Sequence, residues 1–133
     1  MTIVVAYSAD VYGEAALDHA VAEVARTGER LVVVNVTRGD ALVDPRFAGS
    51  AGAAAVDERL HGLPGEAELV QSMAPDVAEE ILTVADREDA RSLVVGVRHR
   101  SPVGKLIMGS IAQRLILEAR CPVVAVKPPD GRV

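Results

Sequence analysis

Aromatic residues are almost missing from this 133-residue chain, which has two tyrosines (Tyr7, Tyr12), one phenylalanine (Phe47) and no tryptophan. That scarcity excludes a surface built to stack the bases of single-stranded nucleic acid. It also leaves the core to Val, Ile, Leu and Ala, the composition of helices packed closely on a buried aliphatic sheet. Cysteine is reduced to Cys121, which excludes an internal disulfide framework and a Cys-rich zinc site. Placed just before Pro122, it reads as a small hydrophobe rather than a nucleophile. No apolar run approaches the roughly 20 residues that span a bilayer, and no basic-flanked cleavage signal opens the chain. The expectation is a cytoplasmic protein with no membrane partner. The net charge of −5 argues against nonspecific duplex binding, so no nucleic-acid partner is expected. The length suits one domain over residues 1–133.

What is present is an alternation of aliphatic runs and amphipathic segments. Ile3–Tyr7, Leu31–Val36 and Ser92–Val97 read as strands buried on both faces. Ala67–Ser72 is more polar and suits a sheet edge, and Pro122–Val126 is the last strand. Between them, helices are expected over Glu14–Arg26, Ala51–His61, from Pro75-Asp76 onward, and from Ser110 to about Ala119. Asp10 and Asp76 offer cap chemistry, Gly28 a C-cap, and Ser110 with Gln113 has capping-box spacing. The order predicts an α/β fold: a doubly wound five-stranded parallel sheet, strand order 3-2-1-4-5, with helices on both faces. Residues 37–50 carry no clear signal.

The charge pattern points to one segment. No Asp or Glu occurs between Asp89 and Glu118, whereas Arg98, Arg100, Lys105 and Arg114 all lie there. The chain leaves a strand at Val95-Gly96, crosses this basic stretch and enters a helix at Gly109-Ser110. Free N–H groups at a helix start make an anion site, and a phosphate would explain the segregation; a solvated basic surface would explain it too. Gly96 admits close backbone approach because it lacks a side chain, and Arg98 and Lys105 are placed to neutralise phosphate charge. Ligands of such sheets bind beyond the carboxyl ends of the strands at the switch point, here Ser8–Asp10, Asn35-Val36 and Gly96–Arg100. A Walker A loop does not fit, because His99 stands at its first glycine and Leu106 replaces its hydroxyl residue; a Rossmann glycine motif is absent after the first strand.

The runs Ile3–Ala6, Ala15–Ala20 and Leu31–Val36, and above all Gly104–Arg114 and Arg120–Val126, resemble the universal stress protein (UspA-type) family over nearly the whole chain. The resemblance implies a five-stranded α/β fold, usually a homodimer, and in many members an adenine nucleotide held by Gly-x2-Gly-x9-Gly-Ser/Thr. This chain reads Gly96-x2-His99-x9-Gly109-Ser110, with His99 at the second glycine. It also has Ser8 where nucleotide-binding members carry an Asp toward the nucleoside, and Val36 at the strand end that faces adenine. The implied cofactor-binding set is Ser8, Val36, Val95, Gly96, Arg98, His99, Arg100, Gly109, Ser110 and Ile111. The implied ligand is ATP (or AMP or ADP), with or without Mg²⁺, in a dimeric stress-response regulator or sensor. The alternative is a UspA-type dimer that binds no nucleotide and acts through protein contacts.

No nucleophile elbow or convergent metal-ligand spacing appears, and His19 and His61 read as surface residues. Asp10 is the only acidic metal-ligand candidate near the loop. With no positioned general base, hydrolysis would be slow at most. Val123, Val124, Ala125 and Val126 would form an apolar sheet edge, which antiparallel pairing with a second copy would cover.

Overall fold

The computed structural model describes residues 1–39, 44–98 and 109–129. His99 and Arg100, with Lys105, lie outside the described residues.

The described elements alternate as β1 (Thr2–Ala6), α1 (Val11–Thr27), β2 (Arg30–Thr37), α2 (Ser50–His61), β3 (Ala67–Met73), α3 (Val77–Arg87), β4 (Ser92–Gly96), α4 (Ser110–Glu118) and β5 (Val123–Val126). All strand pairs are parallel, in the order β3-β2-β1-β4-β5. The three central strands are buried because their side chains alternate between two cores. Ile3, Val5, Leu31, Val33 and Val94 face α1 and α2, meeting Ala16, Leu17, Ala20 and Val24. Val4, Val32, Val34, Leu93 and Val95 face α3 and α4, meeting Ile81, Val84 and Leu115. Ala and Val on the helices allow this close approach, which is how a core with so few rings fills its volume.

Helix α1 begins three residues earlier than its hydrophobic pattern indicates. Asp10 is the N-cap, its Oδ1 accepting from the Tyr12 and Gly13 amides at 3.1 and 2.9 Å. A cap bonded to the second and third helical amides puts the start at Val11. Gly28 closes the helix in the left-handed conformation, at φ 76°. Asp76 caps α3, accepting from the Glu79 amide at 3.2 Å. At α4 the expected Ser110 cap is incorrect. Gly109 is the extended N-cap, its carbonyl accepting from the Gln113 amide at 2.9 Å, and Ser110 is already the first helical residue. The capping box fails because the helix starts one residue too early for it.

No helix among the described residues is long and apolar enough to cross a membrane. The Cys121 thiol is half-buried against the α3/α4 core, and burial pushes its pKa up, so it is held as the unreactive thiol.

Candidate functional site

A cleft of about 850 Å³ opens at the carboxyl ends of β1, β2 and β4. Its position follows from the topology, since β1 and β4 are neighbours and their crossovers run to opposite faces. The volume lies within the range of small-molecule sites. Ser8, Val36, Val95, Gly96, Arg98, Gly109, Ser110 and Ile111 all line it, brought together from four separate segments.

The individual roles differ from the expected ones. A Cβ on Gly96 would lie 2.1 Å from the Tyr12 carbonyl oxygen. What approaches this glycine is the first turn of α1, so its missing side chain seats a helix at the wall of the cleft. Gly13, which the sequence reading passed over, does the same toward β1, where a Cβ would lie 1.7 Å from the Ser8 carbonyl oxygen. Together they bring the start of α1 against the ends of β1 and β4.

Ser8 Oγ donates to Asp10 Oδ1 at 2.8 Å. Its proton is therefore engaged, and toward the cleft it presents lone pairs, an acceptor for a hydroxyl such as that of a sugar. Asp10 Oδ1 accepts from Ser8 and two backbone amides at once. Asp10 thus serves as a cap, and no group of three metal-ligating side chains exists among the described residues.

Asn35 organises the opposite wall, a role absent from the sequence reading. It is 1% exposed. Its Nδ2 donates to the Tyr7 and Arg46 carbonyls, both at 3.0 Å, while its Oδ1 accepts from the Ala48 amide at 2.8 Å and from Gln71 Nε2 at 3.1 Å. An amide side chain offers two donors and two acceptor sites, and all are used. The segment 44–48 is thereby tied to β1 and β3. Thr37 Oγ1 donates to Asp44 Oδ2 at 2.8 Å, closing the same wall. Nothing short-range in this segment signals it, because the ties join residues 11 to 36 positions apart.

Among the described residues, the cleft's cations come from three places: Arg38 beyond β2, Arg46 on the tied turn, and Arg98 beyond β4. Arg98 lies over the Tyr12 ring, 5.9 Å from its centroid, and makes no ion pair among the described residues. Arg114 is different. It contacts Asp76 at 2.7 Å, Glu118 at 3.2 Å and Glu79 at 3.5 Å, locking α4 to α3. Its placement in the basic stretch suggested a share in the anion site; three carboxylates occupy it instead. It holds the Asp76 carboxyl below its usual range.

Behind the cleft, Tyr7 donates its phenol proton to Glu14. Burial first, then this bond, pushes its pKa well above the ordinary value, so it stays protonated. Of the histidines, His19 and His61 are exposed on their helices, and His61 Nδ1 lies 2.8 Å from the Asp57 carbonyl of its own helix.

The family model "Universal stress protein family" matches residues 1–127. A universal stress protein of Mycolicibacterium smegmatis is 50% identical over 126 residues, 95% of this chain and 97% of that one. The solved universal stress protein from Archaeoglobus fulgidus superposes with a TM-score of 0.76 at 27% identity, covering 95% of this chain and 97% of that chain. A second Archaeoglobus fulgidus universal stress protein structure, in complex with dAMP, superposes with a TM-score of 0.67 at 21% identity, covering 95% and 96%.

Proposed function

This chain belongs to the universal stress protein family, and we propose that its cleft binds an adenine nucleotide, ATP or its mono- or diphosphate. The observation that carries this reading is the junction of a helix N-terminus, Gly109-Ser110-Ile111, with Arg98, which has no carboxylate partner among the described residues, at the switch point of the sheet. The first amides of α4 have no side-chain cap, which leaves them to an external anion. The dAMP complex of a structural neighbour supports the ligand class.

In this reading Val36 and Val95 offer an apolar face to the base and Ser8 accepts from the sugar. Arg98, Ser110 and Ile111 meet the phosphates, with His99 and Arg100 adjoining them in sequence, and Mg²⁺ enters with the phosphate chain. Gly96 acts indirectly by seating α1. The role in this reading is that of a cytoplasmic sensor or regulator, with hydrolysis slow at most. The β5 edge, with Val123, Val124, Ala125 and Val126, pairs with a second copy.

Calorimetric titration of the purified chain with ATP and Mg²⁺ tests the reading. Saturable one-site binding is expected, and no heat at millimolar nucleotide contradicts it. Sedimentation at micromolar concentration is expected to return a dimer.

A further inference from the structure

Among the described residues, most arginines are consumed by carboxylates: Arg26, Arg30, Arg59, Arg87, Arg91 and Arg114 all form ion pairs. Those without a carboxylate partner among the described residues are Arg38, Arg46, Arg98 and Arg120, and the first three line the cleft. In a chain with 19 acidic and 14 basic residues, guanidiniums left over in one place call for an external anion.

Arg98 accounts for a phosphate beside α4. Arg38 stands elsewhere, directly beyond β2, and β1 separates β2 from β4; Arg46 lies on the turn bonded to Asn35 of β2 and to Ala9 beyond β1. Two strand spacings put the Arg38 and Arg98 backbone anchors about 10 Å apart. The support under Arg46 is extensive. Its carbonyl accepts from the Ala9 amide at 2.9 Å and from Asn35 Nδ2 at 3.0 Å, and its amide donates to Asp44 Oδ1 at 3.0 Å. Among the described residues of that wall the carboxylate is Asp44, which is engaged by Thr37 Oγ1 and the Arg46 amide and forms no ion pair with either guanidinium. A backbone fixed on three sides thus carries a guanidinium with no carboxylate partner among the described residues.

We propose that Arg38 and Arg46 form a second anion subsite, which takes a phosphoryl group carried outside the 5′ phosphate chain. The ligand class is then a nucleotide phosphorylated at two positions. This inference rests on the nucleotide reading of the same cleft.

Calorimetry on the full chain with AMP, adenosine 3′,5′-bisphosphate and adenosine 2′,5′-bisphosphate tests it. One bisphosphate is expected to bind about tenfold more tightly than AMP, the gain of a charge-assisted contact. Arg46→Ala and Arg38→Ala should each reduce that advantage and leave AMP affinity unchanged, while Arg46→Lys keeps part of it. Equal affinity for AMP and both bisphosphates overturns the inference. So does an Arg46→Ala variant that weakens AMP as much as the bisphosphate, because the guanidinium then serves the 5′ chain. AMP binding without a bisphosphate advantage defeats this inference alone, whereas failure of every nucleotide defeats the nucleotide reading as well. The Arg46 side chain is exposed, so unchanged unfolding midpoints are expected for these variants.

Discussion

The two ends of the sheet treat arginine in opposite ways. At the amino ends of the strands, Arg91 grips Glu29 through two bonds at 2.6 and 2.8 Å and reaches Glu23 at 3.6 Å. Beside it Arg30 meets Glu88, with Glu68 at 3.4 Å and Glu66 at 3.7 Å. At the carboxyl ends Arg38, Arg46 and Arg98 face the cleft with no carboxylate partner among the described residues. The same side chain closes the structure at one end and is left open at the other. What separates the roles is not residue type but whether the fold supplies a counter-charge.

The largest effect should come from the support under the open end. Asn35→Ala removes four hydrogen bonds, two of them fully buried, and strands the Tyr7 carbonyl and the Ala48 amide. A loss of about 3 kcal/mol in urea unfolding is expected, together with weakened nucleotide binding. Gly96→Ala follows. Its new Cβ would meet backbone at 2.1 Å, and relieving that contact should cost about 2 kcal/mol and move the start of α1 away from the cleft. If Gly96 instead makes room for ligand, the variant will lose affinity with an unchanged unfolding midpoint.

Smaller effects separate the paired arginines from the unpaired ones. Arg91→Ala should cost about 0.5–1 kcal/mol, since its ion pairs are partly exposed. The same end has an acid dependence. Arg91 holds the Glu29 carboxyl below its usual value of 4.5, so the folded state binds that proton less readily than the unfolded chain. The stabilisation is complete above that value and is lost as pH falls through the depressed folded value. Acid titration of the unfolding free energy should show this slope in the wild type and a flatter one in Arg91→Ala.

Much of the fold was legible in local signals. The aliphatic runs, Gly28 and the Asp10 and Asp76 caps each act within a few residues, and parallel-sheet topology then locates the cleft. What escaped was tertiary. The contact of Gly96 with α1 escaped because nothing nearby in sequence announces the Tyr12 carbonyl against it. Ser110 looked like a cap because its spacing to Gln113 was right, while the backbone starts its helix at Gly109. Asn35 looked like an ordinary strand end, and its partners lie 11 to 36 residues away. Arg114 sat in the basic stretch, and only the approach of α3 reveals two of its carboxylates, Asp76 and Glu79.

The most direct test of the contrast places one arginine from each end side by side. ATP is titrated into Arg98→Ala, Arg91→Ala and the wild type, and each protein is melted without ligand. Arg98→Ala should bind about tenfold more weakly with an unchanged midpoint, and Arg91→Ala should melt earlier with unchanged affinity. Wild-type affinity in Arg98→Ala, or an equal loss of binding in Arg91→Ala, would contradict the account.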